Sequence, residues 1–83
     1  MTWNHRVVRR HWKDQDETTF GIYEVFYDDQ GRAWAVTENP VEVSGDSVDD
    51  LAKTLKWMKA ALSKKVLDYD KIPEKGANKL DDA

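Results

Sequence analysis

Apolar residues recur at two distinct intervals along this chain. From Thr18 to Tyr27 the interval is two: Phe20, Ile22 and Phe26 fall on one side with Glu24, while Tyr23, Val25 and Tyr27 fall on the other. That alternation, in a run of β-branched and aromatic types, predicts a strand. Asp28-Asp29-Gln30-Gly31 follows, and Gly31 supplies the left-handed conformation that a type I turn with a bulge needs. Arg32 to Thr37 then predicts a second strand, with Trp34 and Val36 on one side and the small Ala33 and Ala35 on the other. Asn39-Pro40 breaks it, because proline lacks a backbone donor and restricts its predecessor. Val41-Glu42-Val43 is open as a further extended segment.

The segment before Thr18 is patterned less cleanly. Trp3, His5, Val7, Arg9 and His11 alternate with Asn4, Arg6, Val8, Arg10 and Trp12, so neither side is purely apolar. Such a mixture predicts an edge strand, where charge discourages pairing with another chain. Lys13 to Glu17 is polar and aperiodic, as a hairpin loop requires.

Beyond Ser44 the interval changes to three and four. Val48, Leu51, Leu55, Met58 and Leu62 form the stripe of an amphipathic helix over 48–65. Ser47, with Asp50 three residues on, is an acidic variant of the capping box, and Asp49-Asp50 places negative charge where the helix dipole favours it. Lys64-Lys65 suit the C-terminal end.

These elements predict an α+β domain over residues 1–72: a three-stranded antiparallel sheet, with the Val41–Val43 segment as a candidate fourth strand, packed by one C-terminal amphipathic helix. The stretch 73–83, with one leucine and no aromatic residue, predicts a disordered tail. Eighty-three residues leave room for one domain with a thin core. With no cysteine, neither a disulfide nor a thiolate site can form, which points to a reducing, cytoplasmic setting. The longest apolar run, Ala33-Trp34-Ala35-Val36, is too short to span a membrane, so a soluble protein with no membrane partner is expected.

The segment Gly45-Asp46-Ser47-Val48-Asp49-Asp50-Leu51 resembles the one that opens the helix in HicB-type antitoxins: small residues, a hydroxyl cap and two acidic residues ahead of a core-facing helix. The likeness extends to layout over residues 1–66 and is specific over 45–62. It implies a small sheet-and-helix fold and partner binding. The chain departs from the family pattern in lacking a Pro-Asp-hydrophobic-Pro-Gly turn, in having the Asp28–Gly31 hairpin, and in having no helix-turn-helix or ribbon-helix-helix segment after residue 66. No functional residue is carried over.

Catalytic and cofactor motifs are sparse. His5 and His11, six residues apart on a strand, stand about 20 Å from one another and cannot share a metal ion without a bend. Asp14, Asp16 and Thr18 have the spacing of a calcium loop's first ligands, but Thr19 and Val25 occupy the positions where its glycine and glutamate belong. Ser47 is used as a cap, and the four glycines are too dispersed for a phosphate loop. No catalytic residue, cofactor or small-molecule substrate is expected.

Tryptophan is the remaining signal, with four in the chain. Advancing about 100° per residue, Trp57 lies about 200° round the helix from Leu55, among Lys53, Lys56, Ala60 and Lys64. A tryptophan with a basic rim is a recurring composition of binding hot spots, so Trp57, Lys53, Lys56 and Lys64 are the candidate contact residues for a protein partner or a homodimer. The alternative is that Trp3 or residues 66–72 cover Trp57. A second surface, Arg6, Arg9, Arg10 and Trp12, interleaves cations with an aromatic ring and suits single-stranded nucleic acid. Against it stands a net charge of −3.

Overall fold

The computed structural model describes residues 2–76. It is α+β, with strands β1 (Thr2–Trp12), β2 (Glu17–Tyr27), β3 (Ala33–Val36), β4 (Leu67–Asp68) and β5 (Glu74–Lys75), and a single α-helix, α1 (Val48–Ala60). Short 3₁₀ turns at Ala61–Ser63 and Tyr69–Lys71 follow α1 and β4. The sheet order is β4-β1-β2-β3-β5.

The β1–β2 hairpin is its spine, in unbroken antiparallel register from Thr2 opposite Tyr27 to Trp12 opposite Glu17. Its loop closes with Asp16 in the left-handed region (φ 47°), which aspartate tolerates better than most residues. The β2–β3 turn is held by the Asp28 carboxylate, which accepts from the backbone N–H of Gln30 and of Arg32, each at 2.9 Å. Gly31 takes the expected left-handed conformation there (φ 78°).

Several details depart from the alternating pattern. Phe26 pairs with Ala35 but Tyr27 with Ala33, so Trp34 is an extra residue in β3. Because of this bulge Ala33 and Ala35 do not share a face: Ala33 packs against the cluster containing Val25 and Val36, whereas Ala35 is opposite Phe26. Val41 donates its N–H to the Ile22 carbonyl at 2.9 Å, but residues 41–43 form no strand. Gly21 admits this return of the chain, since a Cβ there would come within 3.1 Å of Pro40 Cγ.

At the helix start, Ser47 Oγ accepts from the Asp50 N–H at 3.0 Å. The reciprocal bond reaches one residue further back, from the Asp46 N–H to the Asp50 carboxylate. Gly45 lies so close to this turn that a Cβ would meet the Leu51 nitrogen at 2.7 Å.

Four expectations are corrected after α1. The helix follows the three main strands as expected, but it ends at Ala60 rather than at residue 65 and is followed by the short strands β4 and β5. The sheet is mixed, because β4 runs parallel to β1 at Val8–Arg9 and β5 parallel to β3 at Ala35–Val36. Glu74–Lys75, expected in a disordered tail, are β5 itself; the remainder of that tail, 77–83, lies outside the described residues. The edge position expected for β1 is corrected as well, since β4 covers it over two residues.

The link between β4 and β5 sets the shape. These strands occupy opposite edges yet are joined only by Tyr69–Pro73, three of whose residues are in a 3₁₀ turn. Across a flat five-stranded sheet the edges would be about 19 Å apart, and a path containing a 3₁₀ turn, rising about 2 Å per residue, falls short of that. The sheet therefore curls around the strap. Tyr69 and Ile72 enter its concave side and join Val8, Tyr23, Val25 and Val36 in the main core cluster.

The opposite face carries the helix. Phe26, Ala35, Met58 and Ala61 are buried apart from the main cluster, and α1 with its following 3₁₀ turn lies against β1. The stripe is only partly used: Leu51 is half-buried, whereas Val48, Leu55 and Leu62 are 82, 50 and 66% exposed. One core feature is uncompensated: among the described residues, the buried Tyr23 hydroxyl has no hydrogen-bond partner. Replacing Tyr23 with phenylalanine removes that desolvated group while keeping the ring. Urea unfolding of Tyr23→Phe is expected to show unchanged stability or a gain of up to about 1 kcal/mol; a loss of about 1 kcal/mol or more would show that the hydroxyl is bonded.

Candidate functional site

The two aromatic ends of β1 have separate roles. Trp12, at the C-terminal end, donates its indole N–H to Thr19 Oγ at 2.8 Å. The Arg10 guanidinium lies 3.8 Å from the centroid of the Trp12 ring and 4.0 Å from that of Tyr69, so it is sandwiched between two π faces. Its NH1 also donates to the Glu38 carbonyl. One side chain thus ties β1 to the strap and to the segment after β3. Burial pushes the Tyr69 phenol above its ordinary value, with Arg10 pulling the other way, so Tyr69 is neutral at physiological pH.

The other arginines of β1 are also engaged. Arg6 donates to the Tyr27 hydroxyl at 3.0 Å and to the Lys65 carbonyl at 2.6 Å, and the Tyr27 hydroxyl in turn donates a hydrogen bond to Asn4 Oδ1 at 2.7 Å. Arg9 meets the Asp68 carboxylate at 2.8 Å and pins β4 to β1. Of the four residues proposed for nucleic acid, alternation puts Arg6, Arg10 and Trp12 on one side of β1 and Arg9 on the other. The fold does not gather them into one surface.

The other end of β1 lies beside the last turn of α1 and the 3₁₀ turn that follows it. Trp3, Asn4 and His5 face Trp57, Ala60, Ala61 and Lys64 across a groove of about 250 Å³. Trp57 is 62% exposed and Trp3 37%, and both line the opening. The Trp3 ring is set edge-on to His5, centroids 5.3 Å apart and planes at 81°, which limits how it can turn. Ala60 and Ala61 keep the floor shallow, and Lys64, at the end of the 3₁₀ turn, supplies a cation at the rim. Lys53 and Lys56 are exposed on α1 but do not line the groove.

Trp3, Asn4, His5, Ala60 and Ala61 line the groove without having been assigned as contacts from the sequence. Alternation on β1 put Trp3 and His5 on one side together, but which helix residues would face that side depends on how α1 lies against the strand. A second cleft, of about 410 Å³, opens between β4, the strap and Ala33, with Arg9, Lys65 and Lys71 among its lining. Arg9 there is already matched by Asp68.

Among the described residues, no three histidines, cysteines, aspartates or glutamates come together in a way that could hold a metal ion. His5 packs on Trp3, whereas His11 is bonded to Thr18 Oγ at 3.1 Å and lies 3.3 Å from the Asp16 carboxylate. No helix of the described residues is long and apolar enough to cross a membrane. No protein-family model matches the chain, and neither a curated protein nor a solved structure shows significant similarity to it.

Two measurements separate the structural arginines from the groove. Arg10→Ala loses both ring contacts and a hydrogen bond, and is expected to lower unfolding stability by about 2 kcal/mol in urea; a change within about 0.5 kcal/mol would free Arg10 for an external ligand. The second concerns pH. The Arg9 hydrogen bond holds the Asp68 carboxyl below its ordinary value, and the Arg32 backbone N–H does the same for Asp28. Both are ionised more readily folded than unfolded, so their contribution is present above the unfolded value of roughly 3.9 and is lost as pH falls through the depressed folded values. The urea midpoint is expected to fall below about pH 4, and Asp68→Asn to flatten that decline; an identical acid limb in the variant would contradict it.

Proposed function

We propose that this chain is a small non-catalytic interaction module that binds a protein partner in the groove between Trp3–His5 and Trp57–Lys64. The observation that carries the reading is the exposure of Trp57 opposite Trp3. Two indoles offered across a shallow opening are costly to leave in water and supply large, rigid contact area with little rotamer entropy to lose. Lys64 at the rim selects an acidic neighbour beside the inserted apolar or aromatic side chain. Lys53 and Lys56 extend the positive field along α1 and steer the approach of an acidic segment more than they hold it. The helix-start likeness to HicB-type antitoxins fits the same reading, since it implies partner binding.

The alternative, single-stranded nucleic acid bound along Arg6, Arg9, Arg10 and Trp12, has less support. Each of those side chains has an internal partner that phosphates or bases would have to displace. It also predicts a steep loss of affinity with salt.

The test is a random peptide library displayed on phage and panned against wild-type protein and Trp57→Ala in parallel. Wild type is expected to select peptides with an aromatic or large aliphatic residue next to aspartate or glutamate, and Trp57→Ala to lose that enrichment while its urea stability changes by less than about 1 kcal/mol. A loss of several kcal/mol would identify Trp57 as core. No enrichment on wild type, with salt-sensitive binding of an oligothymidylate, would favour the nucleic-acid reading instead.

A further inference from the structure

Among the described residues, much of the apolar stripe of α1 and its following turn is left exposed. Val48, Leu51, Leu55, Met58 and Leu62 alternate at intervals of three and four, the spacing of a coiled-coil seam. Met58 is buried and Leu51 half-buried, which leaves every seventh residue, Val48, Leu55 and Leu62, at 82, 50 and 66% exposed. At about 100° per residue these three lie within about 40° of one another. They form one row along α1 and into the 3₁₀ turn that follows it, which holds Leu62, on a flank distinct from the one that carries Trp57.

We infer that this row is the interface between two copies of the chain, packed with their α1 helices antiparallel about a twofold axis through Leu55. The register follows from the spacing. Leu55 is midway between Val48 and Leu62, so an axis at Leu55 sets it against its own counterpart and sets each Val48 against the Leu62 of the other copy. Every exposed residue of the row then gains an apolar partner, and the twofold closes the assembly at a dimer.

The orientation follows from charge. Asp46, Asp49 and Asp50 crowd the N-terminal end of α1, while Lys59, Lys64 and Lys65 lie at the other end. Antiparallel packing lays the acidic end of each helix along the basic end of the other, with Lys59 about 40° from the row and Asp49 and Asp50 about 120–140° round from it, and sets the two helix dipoles in opposition. Parallel packing would bring like charges together at both ends. This self-complementarity is what favours a second copy over an unrelated helix. Ala52, bordering the row, leaves room for the close approach and for the aliphatic stem of Lys59 from the other copy.

One helical row is a small interface, near the lower end of the roughly 1,200 Å² that stable dimers bury, so association is expected in the micromolar range or weaker. Sedimentation equilibrium of the full chain is expected to show the mass rising from 9.6 kDa toward twice that value between about 1 μM and about 1 mM. Leu55→Lys, at a half-exposed site where folding can be verified by circular dichroism, is expected to be monomeric throughout, because the axis opposes two lysines. Wild type that stays monomeric to 1 mM, or a dimer that survives Leu55→Lys, would overturn the inference.

Since the chain has no cysteine, single cysteines read the register. Under mild oxidation Leu55→Cys is expected to cross-link to itself, and a mixture of Val48→Cys with Leu62→Cys to give the mixed product. Neither of those two should cross-link to its own kind, since like positions are about 21 Å apart along the axis. Efficient self-linking of Val48→Cys and Leu62→Cys would mean parallel helices and would overturn the arrangement. Trp57→Ala is expected to leave the dimer mass unchanged, so failure here is distinguishable from failure of the groove reading.

Discussion

Closure of the curled sheet by the strap Tyr69–Pro73 is the constraint on which the rest of this small protein depends. The strap has to reach from the outer edge of β1 to the outer edge of β3, and with a 3₁₀ turn inside it the reach is short. Curling is what reconciles the two. The same curl turns the strap's Tyr69 and Ile72 inward over Val8, Tyr23, Val25 and Val36, so the deepest burial in the molecule lies on the face that carries no helix. A chain with few apolar residues thus builds its core from a sheet and a strap.

Cations take part in that closure. The Arg10 guanidinium sits between the Trp12 and Tyr69 rings, Arg6 reaches Tyr27 and the Lys65 carbonyl, and Arg9 grips Asp68 on β4. Lys75 adds a bond to the Ile72 carbonyl and approaches the Tyr69 ring. Long basic side chains are suited to this, since their stems cover apolar surface while their heads find acceptors at its margin. A basic strand that reads as an open, solvated edge is therefore largely occupied with holding the C-terminal segment.

With the strap filling one face, the helix has little left to do for the core. Only Met58 and Ala61 of α1 and its following turn are buried, and the two flanks of the helix present different surfaces. One faces Trp3 and His5 across the groove. The other carries the row Val48, Leu55 and Leu62. A helix with a full apolar stripe and a half-used contact is where a small domain has surface to offer, and the proposals for a partner and for a second copy use its two flanks separately.

Local chemistry made much of this legible in the sequence. The β1–β2 hairpin, the Gly31 turn, the Ser47 cap and the α1 stripe each depend on neighbours within a few residues, so spacing and residue type were enough to predict them, as they were to place Trp57 away from the stripe. The α1 stripe announced that one side of the helix is apolar, but not what it would meet. What the sequence could not determine is what depends on contacts between distant segments. The two-residue strands β4 and β5 have no periodicity of their own and exist only as pairings with β1 and β3. The bulge at Trp34, which moves Ala33 to the core side, is defined by its partner strand. Trp3 and His5 joined the groove because α1 and its following turn lie against β1, a contact between distant segments that no single segment encodes. Tertiary structure alone decided which face of the sheet would be filled, because Tyr69 and Ile72 are buried by a strap whose path is fixed by both edges at once.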